Sequence, residues 1–583
     1  MENTNYMKSY EQWMSSPAVS EEVKAELAAI KDDDKEIRER FTQMLSFGTA
    51  GLRGIMRAGI AGMNVYMVRL ATQGLADLIN SVSEEDAKAG ASVAIAYDSR
   101  NNSPEFARES ACVLAANGIK AYLFESLRPT PELSFALRET GSIAGINITA
   151  SHNTKEYNGY KAYWSDGAQM APEQAQKVAD VMGKIDMFED VKIADYETAL
   201  KEGLIELMGE AMDEKYMACV LAQSVGGEYV KKAADELKIV YTPFHGTGYK
   251  LVPEVLKRLG MKHILTVPEQ MVIDGDFPTV KSPNPEYREG FDLAVALAEK
   301  NNVDLIIGTD PDGDRCGIVV REKTADGGSN YRTLTGNQIG VLLLDYLIRA
   351  RREQGILADD SVAVKSVVST TMADRICEVQ KVGLVNVLTG FKYIGEKIKE
   401  YEATGEHTFL FGFEESNGYL TGSYARDKDA VVASMLISEM ACYYHLQGKT
   451  LMDAMNELYE SYGYYREKVD SFVFEGLDGQ AKMKGLMDQL RNEPPAEIGG
   501  KILRIRDFST GVITDLATGE KSETGLPLSN ILFYDLEGRG TAIIRPSGTE
   551  PKIKFYIMAA ADSLEDADAF LARIEAAGTE LLS

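Results

Sequence analysis

Short runs of β-branched and apolar residues, each closed by a polar turn and followed by a helical pattern, recur along most of this chain. Nothing else in the sequence limits the fold so tightly. Ser92–Tyr97 is a buried-strand type, followed by Asp98-Ser99-Arg100 and by a helix opening at Ser103-Pro104-Glu105, with Ser103 as N-cap and Pro104 as the first helical residue. Residues 120–125, 143–149, 237–241, 263–267, 303–307, 361–368, 382–388 and 408–413 repeat the strand–loop–helix unit. Such alternation predicts α/β layers with largely parallel sheets. The opening segment, through Lys31-Asp32-Asp33-Asp34-Lys35-Glu36, reads as a solvated amphipathic helix.

The pattern changes after about Tyr464. Residues 466–475, 502–508, 531–536, 541–544 and 553–559 read as strands joined by turns such as Glu537-Gly538-Arg539-Gly540. They predict a smaller α+β domain with an antiparallel sheet. A chain of 583 residues has room for roughly four domains at about 150 residues each. The expectation is three similar mixed α/β domains over 1–210, 211–324 and 325–462, and a C-terminal α+β domain over 463–583.

The 62 Lys and Arg stand against 89 Asp and Glu, a net charge of -27. That field repels nucleic acid and anionic membranes, so neither is expected as a partner; the oligomeric state is left open. An anionic substrate would need local positive groups. The five cysteines (Cys112, Cys219, Cys316, Cys377, Cys442) form no C-x-x-C, which fits a reducing compartment. No apolar run reaches the ~18 residues of a membrane span, and the first residues have no leader pattern. A cytoplasmic protein is expected.

Four loops carry candidate chemistry. Thr149-Ala150-Ser151-His152-Asn153 follows the strand at 143–148, where parallel sheets carry ligand chemistry. A serine there needs a base or a preset electrostatic site to act, and an ordinary polar turn accounts equally well for these residues alone. No G-x-S-x-G elbow occurs. Gly308-Thr309-Asp310-Pro311-Asp312-Gly313-Asp314-Arg315 follows another apolar strand. In extended backbone, residues two apart face one way, so Asp310, Asp312 and Asp314 can converge, and three packed carboxylates call for a hard cation such as Mg²⁺. An EF-hand is excluded, because Arg315 and Arg321 stand where it needs Gly and Glu. The same alternation would project Glu414 and Ser416 together to grip sugar hydroxyls, although paired glutamates are also ordinary on a solvated face, and Arg426-Asp427-Lys428-Asp429 reads equally as a surface charge run. Arg545-Pro546-Ser547-Gly548-Thr549-Glu550-Pro551-Lys552 offers a planar fork, hydroxyls and a glycine backbone for an anion. Neither a Walker loop nor a G-x-G-x-x-G is present, so phosphate is indicated without a nucleotide.

These loops, with Phe47-Gly48-Thr49-Ala50-Gly51-Leu52-Arg53-Gly54 near the start, occur in the order of the α-D-phosphohexomutase family, which the chain resembles over nearly its whole length. The context of Phe413, Asn417 and Tyr419 is more similar to the longer bacterial, phosphopentomutase-related branch. The resemblance implies four domains around a central cleft, each contributing one loop. It implies an isomerase acting by intramolecular phosphoryl transfer between glucose 1-phosphate and glucose 6-phosphate. Mannose and pentose phosphates are alternative substrates by the same route. Glucose 1,6-bisphosphate would be intermediate and activator. By the same resemblance Ser151 is the phosphoserine, and Mg²⁺ is held by Asp310, Asp312, Asp314 and one serine phosphate oxygen. Arg53 and Arg315 would offset the moving charge. Glu414 and Ser416 would hold sugar hydroxyls, and Thr389-Gly390-Phe391-Lys392 matches the family's sugar-facing loop. Arg545, Ser547, Gly548, Thr549 and Lys552 would hold the non-reacting phosphate. His152 and Lys428 are candidates for general acid–base work. Arg53, Lys161, Arg315, Lys392 and Arg545 would make one basic cleft in an acidic chain.

Two other readings compete. The strand and D-x-D-G of residues 305–313 also resemble the start of an aspartyl-phosphate phosphatase, a reading that leaves Ser151 and Arg545 without roles. A non-catalytic sugar-phosphate binder would not need Ser151 and all three aspartates.

Overall fold

A computed structural model describes residues 5–48, 51–81, 91–324, 328–474, 479–547 and 552–583. The chain divides into two compact units, one comprising residues 1–336, 394–405 and 416–450, the other 337–393, 406–415 and 451–583.

In the first unit, a six-stranded sheet runs in the order Leu52–Ile55, Tyr157–Trp164, Ala144–Ile148, Ser92–Tyr97, Lys120–Phe124 and Ile205–Met208. Its centre is parallel, as expected, with Ser92–Tyr97 between Ala144–Ile148 and Lys120–Phe124. Side chains alternate across it: Val93 and Ile95 enter a core with Leu70, Leu75 and Leu114, while Ala94 and Ala96 pack with Leu133 and Leu137 on the other face. Burial on both faces is why this strand reads as an unbroken apolar run. The antiparallel strands Leu52–Ile55, at the edge, and Tyr157–Trp164, next to it, escape the sequence reading. The second of them intersperses Asn158 and Lys161 among tyrosines, and both polar residues are nonetheless buried. A five-stranded sheet repeats the plan, parallel through Lys238–Thr242 and antiparallel from Leu305–Thr309 through Cys316–Lys323 to Ser329–Thr333.

Two local expectations are corrected. The opening segment is three helices, Asn5–Ser15, Glu21–Ala29 and Asp34–Phe41, capped at Ser20 and Asp33. They gather Tyr10, Trp13 and Phe41 around Tyr66, with Trp13 meeting Tyr66 edge-on at 5.1 Å. The acidic run crosses the break between two of these helices, with Asp33 capping the third and Asp34 and Glu36 in its first turn. At the helix Ser103–Ala116, the cap position belongs to Asn102 in the left-handed region, and Ser103 is already helical. The Ser103 hydroxyl donates instead to Asp98, at 2.9 Å.

In the second unit, parallel ladders join Ser361–Ser366 to Gly383–Val387 and to Thr408–Glu414. A seven-stranded antiparallel sheet follows, in the order Tyr464–Val473, Lys552–Ala561, Gly540–Pro546, Leu532–Leu536, Ile502–Asp507, Val512–Asp515 and Lys521–Glu523. One face, through Phe555 and Ile557, packs on Met483 and Met487 of one helix and Phe570 and Ile574 of another. The opposite face, through Tyr556 and Met558, packs on Val367, Val368 and Leu388 at the ends of the parallel strands. That contact sets the sugar-facing loop of the sequence reading beside the strand that carries Arg545. Among the described residues no helix is long and apolar enough to cross a membrane.

Candidate active site

Ser151 lies within the turn after the buried strand Ala144–Ile148, with φ 54°. This left-handed conformation costs a non-glycine residue on the order of 1 kcal/mol or more, so its surroundings must hold it. The Ser151 N–H donates to Thr149 Oγ1 at 2.7 Å, and Thr149 Oγ1 donates to Asp98 Oδ2 at 2.6 Å. The Ser151 hydroxyl donates to Asp310 Oδ2 at 3.0 Å and lies 3.1 Å from His152 Nδ1. Burial, aided by the positive charges of Arg315 and Arg53, holds the His152 imidazole well below its ordinary value and therefore neutral.

The three aspartates converge, all buried, with one oxygen from each lying within 4.8 Å of the others. The reason differs from the expected alternation. The strand stops at Thr309, and a turn through Gly313, at φ 67°, folds the carboxylates together. Asp310 Oδ1 stitches that turn, accepting from the N–H groups of Asp314 at 3.1 Å and Arg315 at 2.9 Å. On Asp312, Oδ2 accepts from Lys161 Nζ at 2.6 Å and Thr130 Oγ1 at 3.0 Å. Asp314 Oδ2 is paired with Lys428 Nζ at 3.1 Å and Lys161 Nζ at 3.4 Å. The Oδ1 atoms of Asp312 and Asp314 are buried and meet no hydrogen-bond donor. Burial and the neighbouring Asp312 and Asp314 raise the Asp310 carboxyl well above its ordinary value. Burial acts the same way on Asp314, but Lys428, Lys161 and Arg315 outweigh it and hold that group low. Two unsatisfied carboxylate oxygens within an all-oxygen cluster fit a hard divalent cation.

The remaining first-unit candidates gather around this centre. Arg53 Nη1 donates to Asn153 Oδ1 at 3.1 Å. Arg315 Nη1 donates to Glu286 Oε1 at 2.8 Å, and Lys428 Nζ also binds Asp427 Oδ1 at 3.0 Å. Ser416 stands in a turn whose next residue, Asn417, exchanges hydrogen bonds with the Cys316 main chain at 3.0 and 3.2 Å. Sequence reasoning gave no role to Asp98, Arg100 and Thr130. The signal for the first two was their place directly after the strand Ser92–Tyr97, beside the strand that leads to Ser151.

In the second unit, Gly390 takes φ 122° and donates its N–H to Glu414 Oε1 at 2.7 Å, and Thr389 Oγ1 is buried without a hydrogen-bond partner. Lys392 Nζ lies 4.9 Å from the centre of the Tyr393 ring. The strand carrying Glu414 ends there, and Glu415 turns away to accept from Ser366 Oγ at 3.1 Å. The alternation expected to bring Ser416 beside Glu414 therefore stops one residue short, and the two residues belong to different units. Arg545 Nη1 lies 3.5 Å from Tyr556 Oη, whose phenol is pushed up by burial and by Glu415 and drawn down by Arg545. Ser547 N–H donates to the Lys552 carbonyl at 2.8 Å. Gly548 and Thr549, like Thr49 and Ala50 of the first motif, lie outside the described residues.

The three α/β/α domain models of phosphoglucomutase/phosphomannomutase match this chain, domain I over residues 44–189, domain II over 214–324 and domain III over 335–462. It is 38% identical to a phosphoglucomutase of Staphylococcus epidermidis over 91% of this chain and 93% of that one. A Staphylococcus aureus phosphoglucomutase is 37% identical over 92% and 93% of the two chains. The fold matches the open form of Paramecium pp63/parafusin, a phosphoglucomutase, at a TM-score of 0.66 and 16% identity, covering 92% of this chain and 95% of that one. A phosphoglucomutase/phosphomannomutase family protein of Burkholderia thailandensis matches at 0.64 and 19%, covering 92% and 98%. Family models over most of the chain and relatives alike along nearly their whole length lead to one conclusion: the chain belongs to the phosphoglucomutase/phosphomannomutase (α-D-phosphohexomutase) family and is a phosphoryl-transferring mutase.

Proposed function

We propose that the protein interconverts glucose 1-phosphate and glucose 6-phosphate, with Ser151 carrying the phosphoryl and glucose 1,6-bisphosphate as intermediate. The observation that carries this reading is the Ser151 hydroxyl, 3.0 Å from Asp310 in a buried cluster of three aspartates. In the first half-reaction the P–Oγ bond of phosphoserine breaks with its electron pair on Oγ. A new bond forms from phosphorus to the free sugar oxygen, and the proton that this hydroxyl loses is balanced by the one Oγ gains. In the second half, after the bisphosphate reorients, Ser151 Oγ attacks the other phosphoryl while the neutral His152 accepts the Oγ proton. The bond from that phosphorus to the sugar oxygen breaks with its electron pair on the oxygen, and the proton ends on that oxygen as the free hydroxyl of the product. His152 returns that proton when the phosphoryl leaves in the reverse sense. Mg²⁺ held by Asp310, Asp312 and Asp314 would neutralise charge on the transferring group, the main demand of phosphoryl transfer. Lys161 pairs with Asp312, Lys428 and Lys161 keep Asp314 ionised, and Arg53 and Arg315 add positive charge. Glu414, Lys392 and Ser416 would bind the sugar, while Arg545, Ser547 and Lys552 would bind the distal phosphate. With this assignment go four domains, at 1–210, 211–324, 325–462 and 463–583, in the cytoplasm.

Phosphopeptide mapping of the purified protein should find phosphate on Ser151. Ser151→Ala should abolish interconversion while the protein stays folded. Turnover above a few per cent in that variant, free of contaminating mutase, would sink the covalent scheme. A comparison of kcat/KM among glucose, mannose, ribose and deoxyribose phosphates tests the sugar, and a pentose preference above about tenfold, 1.4 kcal/mol, would overturn glucose.

A further inference from the structure

One buried side chain grips the Ser151 loop along much of its length. Arg100, 1% exposed, donates from Nη2 to the carbonyls of Ser151 and Asn153, both at 2.5 Å, and from Nη1 to those of Thr154 at 2.8 Å and Tyr157 at 3.0 Å. Asp98 pairs with its Nε at 3.2 Å and reaches the same loop through Thr149. The buried ring of Phe277 lies 5.1 Å from the guanidinium carbon. From the same stretch of chain, Ser282 Oγ donates to the His152 carbonyl at 3.2 Å.

The planar fork is what this task needs. Arginine presents five N–H donors at fixed angles, whereas the lysine ammonium is a compact point charge on a flexible stem. Four carbonyls at different points of one loop can be satisfied together only by the fork. One of them belongs to Ser151, whose left-handed φ of 54° persists only while its surroundings over-determine it. Given the reading that Ser151 carries the phosphoryl, we propose that Arg100, covered by Phe277, is a positioning residue that fixes the Ser151 main chain so that Oγ faces Asp310. Substrate is bound by other residues, so losing Arg100 should cost turnover rather than affinity. A displacement of about 1 Å in a reacting group is enough to cost about 100-fold in rate.

The test compares Arg100→Lys, Phe277→Leu and Ser151→Ala with the unaltered protein in the full chain, measuring kcat, KM for glucose 1-phosphate and thermal midpoint. Arg100→Lys should lower kcat about 100-fold with KM moved less than about threefold, and Phe277→Leu should show the same split to a smaller degree. A lowered midpoint with normal kcat per folded molecule would mean that Arg100 only stabilises the fold, and would overturn the proposal. If Arg100→Lys does not fold, Phe277→Leu decides, since an unchanged kcat there removes the clamp. Turnover by Ser151→Ala would overturn the phosphoserine reading and this proposal with it. A dead Ser151→Ala beside a fully active Arg100→Lys would overturn the positioning role alone.

Discussion

At Asp312 and Asp314 the two oxygens of one carboxylate have unlike surroundings. Each Oδ2 is held by lysine, and each Oδ1 is buried without a donor. An unpaired buried carboxylate oxygen is costly, and a cation binding those atoms removes the cost. EDTA should therefore stop turnover and Mg²⁺ restore it, with a raised thermal midpoint when the ion is bound. Full activity of rigorously metal-free protein would refute the assignment. The sequence made the three aspartates legible as a cluster, yet for the wrong local reason, since a turn at Gly313 and not strand alternation folds them together. It could not tell which oxygens remain open, because Lys161 lies 151 residues from Asp312.

The helix Thr130–Glu139 carries in its first turn both a contact to the site and a buried acid. Its first residue grips the loop of the three aspartates, with the Thr130 N–H donating to the Asp312 carbonyl at 2.8 Å. Two residues on, Glu132 is wholly buried, and neither of its carboxylate oxygens meets a donor. Arg128 donates to Asp213 at 2.7 and 3.1 Å and stands no closer than 3.9 Å to Glu132 Oε2, an ion pair without a hydrogen bond. Burial, then the charge of Asp213, raises the Glu132 carboxyl well above its ordinary value. A group raised in the folded state contributes stability that is complete below its unfolded value, about 4.3, and is lost as pH rises from there through the folded value. Glu132→Gln, neutral throughout, escapes that loss. Thermal midpoints should coincide near about pH 4, and the variant's should lie above that of the unaltered protein near about pH 8. A variant that instead falls behind as pH rises would show that Glu132 is folded as a stabilised carboxylate. The helix pattern could be read from the sequence; the dry setting of one glutamate on it could not.

Ser151, the three aspartates, Lys161 and Lys428 belong to one compact unit, and Thr389, Gly390, Lys392, Glu414 and Arg545 to the other. This division lets chemistry and phosphate binding be tested apart. Arg545→Ala should lose about 2–4 kcal/mol in kcat/KM, the scale of deleting a strong donor to a developing or bound anion, and release bisphosphate more readily. Ser151 should stay phosphorylated in that variant, because its loop and aspartates are intact. Normal turnover, or loss of the serine phosphate with the metal site intact, would contradict the role given to Arg545. The sequence by itself determined the parallel strands that read as apolar runs, the antiparallel sheet after Tyr464 and the loops that carry Ser151 and Asp310, because periodicity and turn chemistry are local properties of a chain. Only the tertiary structure decided that Arg100 holds the serine loop, that His152 is neutral and that Lys161 and Lys428 divide the aspartates between them. Those outcomes depend on desolvation and on charges brought together from distant segments, such as Ser151 and Asp310, 159 residues apart, and no local pattern carries them.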